Sequence, residues 1–324
     1  MTKSDLRRDD RLHDAKKSDR NPGDKRSEFQ RDRDRVLYCT AFRRLAGITQ
    51  VANAAEGHIF HNRLTHSLKV AQVARRLAED LLRVAEEQRQ EERVEALGGL
   101  DPDVAECAGL AHDLGLPPFG HIAEQEIQSV LGTTKTKHDS SSDGFEGNVQ
   151  TFRIVTKLGI RTSGSSDTVQ PDPVWNNDGL DLTRATLNAI IKYPWAREVG
   201  DGRRSRKWGY YRSERREFEF ARAMMSSRGD HRSLEAAIMD WADDVTYAVH
   251  DVDDCYRAGL VPLDQLLRGD TYERRRFVAW AAGHDSENKA KKARTNDEYD
   301  RVLKEERGKD ETKRERFVGL LDRL

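Results

Sequence analysis

Three segments of this chain carry residue types that could hold a metal ion together. His66 lies in HNRLTHSLKV, the adjacent pair His112 and Asp113 in AGLAHDLGLPPFGH, and Asp240, Asp243 and Asp244 in IMDWADDVTYAVHD. Imidazole nitrogen and carboxylate oxygen in one site suit a divalent ion such as Mn, Fe, Co, Mg or Zn. A His-Asp pair on a helix, joined by a His and an Asp from elsewhere, can converge on one ion and leave positions open for water and substrate. That arrangement is a hydrolytic metal site. Singly, each residue has a plainer use: a lone histidine is more often packed in a core, and an Asp beside a helix end is more often a cap. At this level Asp240, Asp243 and Asp244 are equal candidates.

The elements that position these residues read as helices. Asp101 is placed to cap a helix, Pro102 suits its first turn and Gly115 suits its stop. Val104, Ala108 and Ala111 then face a core, and His112 and Asp113 fall in the final turn, with the short loop LPPFG folding back over them. Residues 64–95 form one long amphipathic pattern through Leu64, Leu68, Ala71, Ala74, Ala78, Leu81 and Leu82. Helical periodicity starts near Arg31 and groups Val36, Leu37, Cys39, Thr40, Phe42 and Leu45. LTRATLNAIIKYP reads as a helix ended by Pro194. Segments 133–145 and 162–180 read as loops. Strand patterns, βαβ alternation and repeats are not evident, so the expected fold class is all-α.

Ser233 caps a further helix over 234–256. At about 100° per residue, Asp240, Asp243, Asp244, Tyr247, Asp251 and Asp254 share one face. The chain has 56 Lys and Arg in 324 residues, so a 23-residue segment should hold about four, yet this one holds none. An unbalanced carboxylate stripe repels itself unless a cation compensates it. A bound metal or arginines from neighbouring helices would serve.

Composition narrows the classes. Hydrophobic residues make up 36% and charged residues 35%, above the usual charged share of about 25%. The net charge of −1 makes the whole chain no general polyanion binder. The basic run GRRSRKWGYYRSERR, Arg203 to Arg216, reads first as a solvated loop. Cys39, Cys107 and Cys255 are odd in number and form no CxxC, which fits a reducing, cytoplasmic compartment. The N-terminus is charged throughout, with no signal-peptide core, and no apolar run approaches the roughly 18 residues of a membrane span. Residues 1–30 are expected as a flexible arm or one that orders on a neighbour. Residues 31–260 are expected as the catalytic domain, and 261–324 as a charged helical segment with a last amphipathic stretch.

Six blocks, in order, resemble the HD-domain deoxynucleoside triphosphate triphosphohydrolases, the dGTPase-like family. They are RDRDRVLYCTAFRRLAGITQV, HNRLTHSLKVAQVAR, LAHDLGLPPFGHIAEQ, GFEGNVQTFRI, LDLTRATLNAIIKYPW and LEAAIMDWADDVTYAVHDVDD. The resemblance implies an HD-type helical bundle with one divalent ion per site, Mn or Mg first. It implies hydrolysis of dNTPs, dGTP first, at the α-phosphorus to deoxynucleoside and triphosphate. Carried over by position, the metal ligands are His66, His112, Asp113 and Asp243. Asp243 is chosen over Asp244 because its four-residue spacing to Tyr247 matches the family. His121 is the implied general acid, Glu124 its partner and Glu146 a second acid nearby. Arg63 and Lys192 would neutralise phosphate, Tyr247 would exclude a 2′-hydroxyl, and Asp251 and Gln50 would bond the 3′-hydroxyl.

The resemblance also implies a homo-oligomer, a hexamer or tetramer, and a dNTP activator. Leu116 departs from it, standing where many relatives carry His or Asn. The C-terminal part that helps bind the base is not recognisable after about residue 260. Two other readings share the metal site. One is an HD phosphodiesterase or nucleotidase, against which the absent GYP signature and the FEGN and KYPW blocks speak. The other is a module that senses nucleotides or binds single-stranded nucleic acid through Arg203 to Arg216.

Overall fold

Small residues decide how closely the helices that carry the metal-ligand types approach one another. A computed structural model describes residues 6–13, 23–48, 60–133, 143–160, 178–198, 200–267 and 272. Helix α3 (Arg63–Glu87), α5 (Pro102–Ala111) and α10 (Leu234–Arg257) share a seam of Val70, Ala74, Ala78, Ala105, Ile238 and Ala242, all buried. A Cβ on Gly109 would stand 2.7 Å from Ala71 Cα, so α3 and α5 touch backbone to backbone there. Short side chains line the seam, and α3 and α5 approach most closely across it.

The local signals act as expected at α5. Asp101 accepts the Asp103 and Val104 N–H groups at 2.8 and 3.4 Å, and Pro102 takes a first-turn position that needs no N–H. The helix ends at Ala111, so His112 is its C-cap and Asp113 lies just beyond. Gly115 has a different task from the stop expected of it. A Cβ there would stand 2.2 Å from Thr151 N, so it allows the chain after α5 to lie on α7 (Gly147–Arg153).

Three elements are shorter than periodicity predicts. The 64–95 pattern breaks between α3 and α4 (Glu91–Ala96), where Arg89 takes φ 55° and Gln90 N–H bonds back to Ala85 O at 2.7 Å. Cys39 is extended and separates α1 (Glu28–Tyr38) from α2 (Thr40–Arg44), which it caps through Sγ and Phe42 N–H. Helix α8 (Arg184–Ile190) ends before Pro194 because the following residues pair with a later segment: Trp195 O accepts Gly209 N–H at 2.9 Å and Trp195 Nε1–H donates to Lys207 O at 2.7 Å. The remaining helices are α6 (Gly120–Thr133), α9 (Arg215–Arg222) and α11 (Leu263–Leu267). Every regular element among the described residues is helical, and none is long and apolar enough to cross a membrane. The main core gathers α1, α3, α5, α8 and α9 around Val36, Leu45, Leu114, Phe152 and Leu182.

Residues 6–13, within the stretch expected as an arm, lie on this body through two arginines. Arg11 pairs with buried Asp32 at 2.7 Å and with Glu28 at 3.0 Å. Arg8 reaches Gly98 O and the carboxylate of Glu235, which is 1% exposed. Removing one partner of a buried pair strands the other charge. Arg8→Ala is therefore expected to cost about 3 kcal/mol of unfolding free energy, read from urea midpoints.

By compactness the chain divides into Met1–Asp251 and Val252–Leu324, a division that falls within α10. In the second unit Gly259, at φ 72°, follows the end of α10, and Tyr256 Oη bonds Asp264 Oδ1 at 3.4 Å. The amphipathic stretch expected near the C-terminus lies outside the described residues.

Candidate active site

His66 from α3, His112 and Asp113 from the end of α5, and Asp243 from α10 come together. His112 Nδ1–H donates to Gly109 O at 2.7 Å, which aims Nε2 away from the backbone. That Nε2 lies 3.4 Å from Asp113 Oδ2 and 3.5 Å from Asp243 Oδ1, too far for a good hydrogen bond. His66 Nε2 is 3.0 Å from Asp243 Oδ1. Ligands at metal-bond length around one ion stand roughly 3.0–3.5 Å apart. The donor set fits a divalent ion, and His66, His112 and Asp113 offer ligand atoms that all lie within 4.8 Å of one another. Asp243, and not Asp240 or Asp244, is the carboxylate of α10 that faces both imidazoles.

The electrostatics follow from burial and pairing. Burial opposes charge on His112, but Asp113 and Asp243 outweigh it and raise its pKa to about 10. Burial likewise opposes charge on Asp113 and Asp243, yet His112 holds both carboxyls far below their ordinary range. Burial dominates at His66 and lowers its pKa, against the hydrogen bond to Asp243, which raises it. Protons and a divalent cation compete for these atoms.

The acidic face of α10 is compensated in two ways. Asp240 pairs with Lys192 at 2.6 Å and with Arg232, while Asp243 meets the two histidines, with Lys192 Nζ at 3.6 Å. Cations from other segments thus neutralise Asp240, while Asp243 meets the histidines of the candidate metal cluster.

Beside the cluster lies a cavity of about 320 Å³. Its wall includes Arg63, Lys192, Lys207, His121, Tyr193 and Tyr247, together with His112, Asp113 and Asp243. Arg63 bonds Asp113 Oδ2 at 2.9 Å, so it is anchored where it enters the cavity. Leu116, buried, lines the wall, and its carbonyl accepts Arg44 Nη2–H at 3.0 Å. Tyr247 stands edge-on to His66 with ring centres 6.2 Å apart, and burial followed by the nearby Asp251 charge raises its pKa.

His121 opens α6 and bonds Glu124 Oε2 through Nδ1 at 2.7 Å, as i, i+3 spacing on a helix allows. Phe119, at φ 68° and 80% exposed, does not cover it. Glu146 is not in the cavity wall. It is fully buried and caps α7, accepting Val149 N–H at 3.0 Å.

The HD-domain family model matches residues 63–169. This chain is thus similar to the HD domain over those residues. It is 41% identical over 244 residues to a "Deoxyguanosinetriphosphate triphosphohydrolase-like protein" of Corynebacterium efficiens, covering 75% of this chain and 49% of that one. It is 40% identical over 259 residues to a protein of the same name from Streptomyces coelicolor, covering 78% and 52%. A Caulobacter vibrioides protein of that name matches at 40% over 244 residues, covering 75% and 50%. The chain thus spans about half the length of the curated relatives it matches.

Within the HD-domain match lie His66, His112, Asp113, His121, Glu124 and Glu146, while Lys192, Asp243 and Tyr247 lie outside it. Among the residues expected at the site, Gln50 falls outside the described residues, and Asp251 is on α10 one turn beyond Tyr247 but not in the cavity wall. Sequence reasoning missed Lys207, Tyr193 and Asn148. Lys207 hides in the basic run, whose other arginines pair at the surface: Arg204 with Glu198 at 3.4 Å, Arg212 with Asp143 at 3.2 Å and, within α9, Arg215 with Glu219 at 2.8 Å. Buried Trp208 and Tyr211, just after the lysine, are the signal that this part of the run turns inward.

Proposed function

We propose that this chain hydrolyses dNTPs, dGTP first among them, to deoxynucleoside and inorganic triphosphate. The observation that carries the reading is the joining of a two-His, two-Asp cluster to a cavity walled by Arg63, Lys192 and Lys207. Such a cavity suits a polyanion held with one phosphorus at the cluster. The name printed for the relatives agrees.

His66, His112, Asp113 and Asp243 would hold the ion. When bound, it supplies positive charge at the α-phosphate and acidifies a water. The Pα–O5′ bond breaks as the bond from phosphorus to the water oxygen forms, and the proton that this water gives up passes to solvent, from which His121 is reprotonated. His121 gives its proton to the departing O5′, and Glu124 favours the protonated imidazole that makes this transfer work. Arg63 and Lys192 orient the triphosphate, Arg63 through its anchor on Asp113. Tyr247, four residues from Asp243 on the same helix face, stands where a sugar edge would lie and rejects a 2′-hydroxyl by shape.

The test is a product analysis. Each dNTP, and GTP, is incubated with the chain and Mn²⁺ or Mg²⁺, and products are separated by ion exchange. Deoxynucleoside and triphosphate from a dNTP, with GTP spared, is the expected result. Mononucleotide with pyrophosphate, orthophosphate, or no cleavage even of dNTP mixtures would overturn the reading. Cleavage only in mixtures would point to an activating nucleotide.

A further inference from the structure

Lys207 stands between two carboxylates with different tasks. Its Nζ lies 2.7 Å from Glu146 Oε1 and 3.3 Å from Glu124 Oε1. Glu146 is buried and fully occupied, since Oε2 caps α7 and Oε1 also accepts Asn148 Nδ2–H at 2.9 Å. Glu124 is shared. Its Oε1 accepts Gly147 N–H at 3.0 Å as well as meeting Lys207, and its Oε2 meets His121 Nδ1 at 2.7 Å. Histidine and lysine therefore sit on opposite oxygens of one carboxylate. The Gly147 N–H holds Glu124 with or without the lysine, so what Lys207 adds is charge more than placement.

We propose that Lys207, anchored on Glu146, is a positioning residue that acts through Glu124 to limit how firmly His121 holds its proton. The proposal rests on the reading of His121 as general acid. A proton donor works best when its affinity lies near the working pH. A carboxylate at hydrogen-bond distance stabilises an imidazolium. With Glu124 serving His121 alone, the proton would be held more tightly than transfer requires. Among the described residues, three charged groups act on His121: Glu124 on its own helix, Lys207 from the segment before Trp208, and Arg63 from α3. The Glu124 hydrogen bond raises the His121 pKa, burial opposes it, and both cations lower it. Of the two cations, Lys207 is the one that also contacts Glu124.

The experiment is an NMR titration of the His121 imidazole in the full chain without nucleotide, its signal assigned with His121→Gln. Lys207→Met should move the midpoint to higher pH, and Lys207→Arg should leave it near wild type. Lys207→Met strands the buried Glu146 and could weaken the fold. Glu146→Gln and the double variant Lys207→Met/Glu146→Gln are therefore compared as well, and the double variant should titrate above Glu146→Gln. A midpoint that stays put or falls when the lysine is removed from both backgrounds overturns the proposal. The titration needs no substrate, so failure of dNTP hydrolysis would count against the functional reading and leave this test standing.

Discussion

His112→Ala should lose dNTP hydrolysis by at least about a thousandfold and weaken divalent-ion binding by about a hundredfold or more. The size follows from how the ring is held. Its Nδ1–H is committed to Gly109 O, at the turn where α5 ends, so the backbone itself sets where Nε2 points. Loss of an outer hydrogen-bond partner of a metal-binding histidine already costs about 10–100-fold in affinity or activity. Loss of the imidazole must cost more. The variant should still fold, because Arg63 remains at 2.9 Å from Asp113, and Lys192 remains near Asp243. Calorimetric titration with Mn²⁺, metal content after dialysis and circular dichroism should be read beside turnover. Wild-type Mn²⁺ binding with wild-type turnover in a folded variant would remove His112 from the site.

His112 was legible in the sequence because α5 is punctuated. A cap at Asp101, a proline after it and a small-residue face fix where the helix runs, and the His-Asp pair falls at its end. Asp243 was harder. Spacing leaves Asp240 and Asp243 on one face of α10, and they are separated by the pairing of Asp240 with Lys192 and Arg232 and by the approach of Asp243 to both imidazoles. Lys207 was legible only through the aromatics beside it, Trp208 and Tyr211, since its partners lie 61 and 83 residues away in the chain. Periodicity also runs through Cys39 and Arg89 without a mark, because it records which face is apolar and not where the backbone leaves the helix. The task of Gly115 depends on Thr151, a residue of another helix, and so could not be read from its own neighbours.

The second large effect belongs to the proton donor. His121→Ala should lower kcat by about 10²–10⁴-fold, with KM changed little, because the imidazole acts on the departing oxygen and the phosphate-holding cations remain. Glu124→Gln is the more informative change. Burial pushes the Glu124 carboxyl up, but His121, the Gly147 N–H and Lys207 outweigh it and hold its pKa at about 2. Glu124 is therefore ionised throughout the working range, and the alkaline limb of the pH profile would belong to His121. A general acid must be protonated, so activity falls as pH rises through the His121 pKa. Glutamine keeps an acceptor for Gly147 N–H but removes the charge whose hydrogen bond raises that pKa. The alkaline loss of kcat should then begin at lower pH than in wild type, with the acid side unmoved. Saturating-substrate kcat across pH measures it, and an alkaline limb that stays in place would show that His121 does not owe its proton affinity to Glu124.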